Sequence, residues 1–247
     1  MKNYIISFVA LVLFLNTGFS GRAQTAFHKY ALTVSITGGS TRAVYSTKNN
    51  RPSDLSVRDH RQNMDGIVDP LILEFGISDR FGIGFTAGAD IYKIDAKKFY
   101  NYDAQYESGK LPAYAHYFTF DFNYHPYVDR KIDLSYSAGI GTLKVNVFDC
   151  PAEQAAALDA ESAENNEIAS SGGDIQKYNQ YVARGPMLRA GVKLRYYFWR
   201  RLGIMGMVTG FTGKANTLNK SDNNFGKDYS TSISGVATEL GICFRFF

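Results

Sequence analysis

The chain has 247 residues, of which 45% are hydrophobic and 20% charged, so it fits one or two folded domains and is not wholly disordered. Its formal net charge of +4 is too small to favour nucleic acid as a partner. Phe, Tyr and Trp make up 15% of the residues and glycine occurs 23 times, a combination that is unlike a helical membrane protein. The composition excludes these classes but names no substrate.

Residues 1–23 have the three parts of a secretory signal peptide. Lys2 supplies the positive charge, residues 4–15 form the apolar run, and Gly21 and Ala23 are the small residues that precede a cleavage site. The apolar run is shorter than the roughly 20 residues of a transmembrane helix, which disfavours an uncleaved anchor.

We therefore predict a signal peptide over residues 1–23 and one domain over residues 24–247. Cleavage is expected before Gln24, with the bond between Ser20 and Gly21 as the alternative. Removal of Lys2 and Arg22 leaves 25 basic residues (27 minus 2) against 23 acidic ones, a net charge of +2. This small charge argues further against a polyanionic partner.

Eight segments alternate between apolar and polar or small residues with a period of two, which is the pattern of a strand with two different faces. The clearest are residues 118–124, 132–141, 188–198 and 236–246, and the less regular ones are residues 30–37, 71–78, 81–91 and 202–211. Ile72 interrupts the pattern of its segment, and the glycines of residues 202–211 leave no clear faces there.

The connections between these segments alternate strictly between long and short. The short ones are residues 78–80, 125–130 and 199–201, and the long ones are residues 41–66, 95–112, 148–183 and 215–233. Transmembrane barrels of outer membranes have short periplasmic turns and long extracellular loops. We therefore predict an all-β fold, an eight-stranded antiparallel transmembrane β-barrel with short periplasmic turns and four long extracellular loops.

The signal peptide, the eight segments, the hairpin of residues 77–84 and the terminal sequence Phe244-Arg245-Phe246-Phe247 together resemble the small OmpA/OmpX-like outer-membrane β-barrel family. The resemblance covers nearly the whole mature chain and implies a location in the outer membrane of a Gram-negative cell. It also implies that Phe244, Phe246 and Phe247 form a C-terminal signal for the outer-membrane assembly machinery. The apolar phase of the last segment ends on Phe246 and leaves Phe247 in the opposite phase.

Many aromatic residues stand in the outward phase near the ends of the segments, where membrane barrels have interfacial girdles. They are Tyr30, Phe81, Tyr124, Tyr136, Tyr196, Phe198, Phe244 and Phe246.

Nine charged residues fall in the inward phase and are predicted to form a charge network in the lumen. They are Glu74, Asp90, Asp121, Asp133, Arg189, Lys193, Arg195, Glu239 and Arg245. An unpaired buried charge costs several kcal/mol, so these side chains are expected to pair. A structural plug is favoured over an ion path, because side chains fill the interior of an eight-stranded barrel.

His116 shares the phase of Phe118 and is expected on the lipid face near the outer rim. Enzymes that modify lipid A carry a histidine at such a position, but no serine or acid is found beside His116 on a neighbouring segment. The sequence therefore predicts no catalytic residue.

Cys150 and Cys243 are expected at opposite ends of the barrel, too far apart for a disulfide, so both are predicted to be free thiols. The third loop is acidic and is expected to be solvated, with binding of cations or of a basic partner as the alternative. Its acids are Asp149, Glu153, Asp159, Glu161, Glu164, Glu167 and Asp174. No spacing typical of a metal or cofactor site is found.

The sequence thus predicts a non-enzymatic integral outer-membrane protein that is structural or that binds at the cell surface through its extracellular loops. The alternatives are a lipid-modifying enzyme and a small transport pore. The expected partners are outer-membrane lipid, the assembly machinery during biogenesis and an extracellular ligand of unknown identity; no nucleic acid and no cofactor are expected.

Overall fold

The computed structural model describes residues 25–49, 59–99, 109–148, 180–215, 217–220 and 229–246. Within these ranges the chain forms ten strands and one short helix: β1 (Leu32–Asn49), β2 (His60–Val68), β3 (Leu71–Gly76), β4 (Phe81–Asp95), α1 (Ala96–Phe99), β5 (Lys110–Val128), β6 (Ile132–Phe148), β7 (Gln180–Tyr197), β8 (Leu202–Ala215), β9 (Thr217–Lys220) and β10 (Tyr229–Arg245). No helix in the described ranges is both long enough and apolar enough to cross a membrane. The predicted signal peptide lies outside the described residues.

The strands form one closed antiparallel ring. β1 pairs with β10 along its whole length, from Thr33 opposite Arg245 to Asn49 opposite Tyr229. β2 and β3 together fill the position between β1 and β4, while β5, β6, β7, β8 and β10 follow in order. β9 follows β8 in the chain and, like β8, pairs with β7. The ring therefore has eight strand positions, and the predicted eight-stranded fold is confirmed.

The second position is interrupted at Asp69 and Pro70, where proline has no N–H to give to the sheet. Pairing continues across the gap, because the Pro70 carbonyl accepts a hydrogen bond from Thr37 N (3.1 Å) and Asp69 N donates to the carbonyl of Ala89 (3.3 Å).

Three short turns, residues 77–80, 129–131 and 198–201, lie at one end of the ring, which we call the turn rim; the opposite end is the loop rim. The predicted turn over residues 125–130 is wrong in its bounds, because β5 continues to Val128. Its pairing with β6 shifts register between Tyr124 and Tyr127, which marks a β-bulge.

The predicted loop over residues 41–66 is also wrong. Residues 41–49 belong to β1 and residues 60–66 to β2, and the two strands pair from Gly39 opposite Val68 to Thr47 opposite His60. The strands of 14 to 19 residues exceed the roughly 9–11 that a membrane crossing needs, so the barrel extends beyond the apolar zone at the loop rim.

The polarity of the wall reverses along the strands. Towards the turn rim the outward side chains are apolar and exposed, including Ile36, Leu71, Phe85, Phe122, Ile140, Leu194, Ile204 and Leu240. Towards the loop rim the outward side chains become polar, such as Arg42, Lys48, Arg61, Asn63 and Asp65, while inward ones such as Ala43, Tyr45 and Met64 are apolar and buried. In this half of the barrel, as in a water-soluble barrel, polar side chains face outward and apolar ones face inward.

The interior near the loop rim is a hydrophobic core. Tyr45, Tyr92, Ile94, Leu111 and Tyr117 belong to it, together with small and aliphatic residues of six other strands or segments. Side chains therefore fill this half of the lumen.

The turn between β5 and β6 is held by Asp129. Its Oδ1 accepts hydrogen bonds from the backbone N–H groups of Lys131 and Ile132, both at 2.6 Å, and its own N–H donates to the carbonyl of Ile132 (2.9 Å). These backbone donors favour the charged carboxylate and lower the pKa of Asp129.

We expect Asp129→Asn to lower stability in a way that depends on pH. Because the pKa of Asp129 is lower in the folded than in the unfolded protein, the charge stabilises the fold above the unfolded pKa, and this contribution disappears as the pH falls through the folded pKa. Urea unfolding of both proteins in detergent micelles should show a gap at neutral pH that closes in acid. A gap that is constant with pH would contradict this role of the charge.

Candidate functional site in the barrel lumen

The nine charged residues predicted for the lumen are all buried. Most of them lie in the half of the interior next to the turn rim, whereas Asp90 is paired with Ala115, a residue of the hydrophobic core. The strict alternation of the strands explains this placement, since every second residue of a strand in a closed ring must point inward.

Arg195 on β7 lies at the centre of the largest cluster. Its Nη1 donates to Asp133 Oδ2 on β6 at 2.9 Å, and its Nη2 donates to Glu74 Oε2 on β3. One guanidinium thus connects two carboxylates from different parts of the ring, and all three side chains are fully shielded from solvent.

His125 connects the same two carboxylates from the other side. Its Nδ1 lies 2.6 Å from Asp133 Oδ1, and its Nε2 lies 2.7 Å from Glu74 Oε1. Both contacts are hydrogen bonds at once when each ring nitrogen carries a proton. We call Arg195, His125, Glu74 and Asp133 the lower cluster.

Lys193 lies beside the lower cluster. Its Nζ donates to Asn123 Oδ1 at 2.8 Å and stands 4.0 Å from Glu74 Oε2. Lys193 therefore adds a further basic group next to Glu74.

A second ion pair lies closer to the hydrophobic core. Arg189 Nη2 contacts Glu239 Oε1 at 3.1 Å, and Thr37 Oγ1 donates to Glu239 Oε2 at 2.7 Å. The guanidinium of Arg189 also lies over the ring of Tyr117, 5.5 Å from its centre. This pair joins the charged layer to the core above it.

The expectation that all nine charges pair is wrong for three of them. Within the described residues, Asp90, Asp121 and Arg245 form no salt bridge. Asp90 accepts from Tyr92 OH (2.6 Å), Asp121 accepts from Thr86 and Thr119 hydroxyls, and Arg245 donates to the carbonyls of Thr25 and Arg200. Hydroxyls and carbonyls contact these groups where the register brings no opposite charge within reach, but Asp90 Oδ1 and Arg245 Nε have no hydrogen-bond partner among the described residues.

Residues 25–31 cover the mouth of the barrel at the turn rim. Ala26 N donates to the carbonyl of Asp129 (2.5 Å), and Tyr30 N donates to that of Gly76 (2.7 Å). Phe27 is buried between them and stacks on His125, with 3.5 Å between the ring centres and 9° between the planes. At Gly76 a Cβ would collide with the carbonyl oxygen of His28, so this segment requires glycine there.

Sequence reasoning missed His125 and Phe27 as members of the site. His125 continues the inward phase of Asp121 and Asn123 on β5, so the alternation alone could have placed it in the lumen. Phe27 precedes the first strand, and no periodic pattern indicates its contact with His125.

His116 lies in the outward phase and is half-buried, as predicted. Its paired neighbours are Ala89 on β4 and Lys144 on β6, neither of which carries a hydroxyl, a thiol or a carboxylate. Within the described ranges no group of three or more His, Cys, Asp or Glu side chains is placed to hold a metal ion.

The cysteines and the C-terminal aromatic residues lie near or beyond the ends of the described ranges or in the lumen. Cys243 is a buried free thiol in the lumen phase of β10, whereas Cys150 and the acidic third loop lie outside the described residues. Phe244 and Phe246 stack edge to face at 4.7 Å, and Phe247 also lies outside the described residues. The C-terminal assembly signal therefore stays a prediction.

Of the aromatic residues predicted to face lipid, six are exposed: Tyr30, Phe81, Tyr124, Tyr136, Tyr196 and Phe198. Phe246 is instead almost covered. The exposed rings and the apolar band beside them, on a closed sheet with no free edge, define a β-barrel that spans a membrane.

Solved structures of similar architecture are outer-membrane proteins. OprG from Pseudomonas aeruginosa is 12% identical, with 89% of this chain and 97% of that chain covered and a TM-score of 0.46. Ail, the attachment invasion locus protein of Yersinia pestis, is 10% identical (87% and 99% covered, TM-score 0.40), and the outer membrane protease OmpT from Escherichia coli is 8% identical (94% and 100% covered, TM-score 0.42). No model of a protein family matches the chain, and no curated protein matches it in sequence.

Proposed function

We propose that the protein is a non-enzymatic integral protein of a Gram-negative outer membrane, a closed barrel that holds its loops at the cell surface for a structural or binding role. The observation that carries this proposal is the filled lumen. The hydrophobic core, the charged layer and residues 25–31 follow one another along the barrel axis from the loop rim to the turn rim.

Two of these layers oppose passage in different ways. The side chains of Tyr45, Tyr92 and Tyr117 pack in the hydrophobic core and occupy the lumen there. Below them Arg195 and His125 connect two strands' carboxylates across the interior, and Phe27 covers the mouth. An eight-stranded ring is narrow enough for side chains to fill it, which supports a structural role rather than a pore.

The proposed orientation places the turn rim in the periplasm and the loop rim outside the cell, as in barrels with short periplasmic turns. The non-enzymatic assignment is supported by the paired neighbours of His116, since Ala89 and Lys144 carry neither a hydroxyl or thiol nor a carboxylate that would complete a catalytic set with a histidine.

Planar-bilayer recordings test the closed lumen. We expect the reconstituted wild-type barrel to give no discrete conductance steps, because the packed side chains of the hydrophobic core occupy the lumen near the loop rim. Electrophoresis before and after boiling verifies that the protein in the same preparation is folded. Reproducible steps of a single size from the folded protein would overturn the proposal and favour a small transport pore.

A further inference from the structure

Three basic side chains lie next to one another on the outer face of the wall. His116 is paired with Lys144 across β5 and β6, and Lys144 is paired with Arg184 across β6 and β7. Paired residues on one face stand about 5 Å apart, so the three bases form a continuous row about 10 Å long. We call His116, Lys144 and Arg184 the basic row.

The basic row marks the edge of the apolar band. The next two rows towards the turn rim contain, in register, Phe118, Thr142 and Pro186, and then Phe120, Ile140 and Leu188. Five of these six side chains are apolar, and Ile140 and Leu188 are well exposed. Charged groups of lipids lie where such a band ends, so the basic row stands at the level of the headgroups.

A depression in the wall coincides with the basic row. It has a volume of about 570 Å³ and is lined by the three bases, by Phe118 and Thr142, and by Tyr117, Leu143 and Gly185 between them. This volume lies in the usual range for small-molecule sites, roughly 300–1,000 Å³. Its lining is apolar on the side of Phe118 and basic on the side of Arg184.

Along the described lengths of β5, β6 and β7, the outward positions contain no Asp or Glu, because Asp121 and Asp133 point into the lumen. An anionic headgroup beside Lys144 and Arg184 therefore meets no acidic side chain of these strands.

We propose that the basic row and this depression bind a phosphorylated lipid of the leaflet at the loop rim. The phosphate lies between Lys144 and Arg184, where ammonium and guanidinium groups donate charge-assisted hydrogen bonds, and an acyl chain lies on Phe118. The site rests on the proposed orientation only for the choice of leaflet, which makes the lipid one of the outer leaflet.

Native mass spectrometry of the folded barrel in detergent micelles tests this site with two probes, lipid A and the same lipid after removal of its phosphates. We expect lipid A to remain bound and the dephosphorylated lipid to be lost. The variants Lys144→Gln and Arg184→Gln should each bind lipid A about tenfold more weakly, the loss expected for one charged hydrogen bond.

Two further variants separate the site from general charge. Lys93→Gln removes an exposed outward base of β4 that does not line the depression, so its affinity should equal that of the wild type. Thr142→Trp fills the depression without changing charge and should abolish binding. Equal retention of the dephosphorylated lipid, or unchanged affinity in Lys144→Gln and Arg184→Gln, would overturn the proposal. Because this assay uses no bilayer current, its outcome is independent of the test for a closed lumen.

Discussion

Replacing Arg195 by Leu should lower the free energy of unfolding by about 3–5 kcal/mol, the cost of breaking a buried ion pair by removing one partner. The side chain donates to Asp133 at 2.9 Å and to Glu74, and both carboxylates are shielded from solvent. Leucine would leave the two acids with His125 and Lys193 as their remaining charged neighbours. Urea unfolding in micelles, followed by the fluorescence of Trp199, measures this loss, since Trp199 is the single tryptophan and lies exposed at the turn rim.

Two controls make the Arg195→Leu result specific. Arg200→Leu removes an exposed arginine of the neighbouring turn and should change the free energy of unfolding by less than about 1 kcal/mol. The double variant Arg195→Leu with Glu74→Gln should lose less unfolding free energy than the two single variants together. Each single variant leaves the remaining charge buried without its partner, whereas the double variant removes both charges. A wild-type free energy of unfolding in Arg195→Leu, accompanied by conductance in a planar bilayer, would instead favour a gate.

The membrane-facing part of the fold was predictable from local pattern alone. A strand that faces lipid on one side and a narrow lumen on the other must alternate with a period of two, as Ile140 and Gly141 do on β6. The extension of the strands at the loop rim was not predicted, because the alternation has the opposite polarity there. There water replaces lipid, the apolar residues Ala43, Tyr45 and Met64 turn inward, and the sequence resembles a polar loop.

The membership of the lumen site was largely predictable, but its pairing was not. Phase places Glu74, Asp133 and Arg195 inside, whereas the stagger between strands decides which side chains meet across the barrel. Asp90 illustrates the difference, because it lies inward as predicted but receives a hydrogen bond from Tyr92 rather than from a base. The signs of the charges can be read from the sequence, but they do not reveal the stagger between the strands.

Phe27→Ala should destabilise the barrel by about 3–5 kcal/mol, the usual cost of removing a buried aromatic ring. Phe27 is almost fully buried, stacks on His125 at 3.5 Å, and lies in the segment that covers the mouth of the barrel. Its loss opens a space beside the lower cluster, so water gains access to Glu74 and Asp133 and weakens the contacts that hold them. Phe27→Leu fills much of that space and should keep most of the stability.

Tyr30→Ala is the matched control for Phe27→Ala, because it removes a ring from the same segment that is 61% exposed. Its effect on the free energy of unfolding should be clearly smaller than that of Phe27→Ala in the same urea titration. Hydrogen exchange adds a local readout. In Phe27→Ala, the backbone N–H of Ala26, which donates to the Asp129 carbonyl, should exchange faster than in the wild type. The backbone N–H of Val145, in the half of β6 near the loop rim, should keep its protection. Equal losses in the two variants would mean that Phe27 contributes only as one more apolar ring at the membrane surface. A loss of unfolding free energy that is confined to Phe27→Ala would instead show that residues 25–31 are part of the folded barrel and shield its charged layer from water.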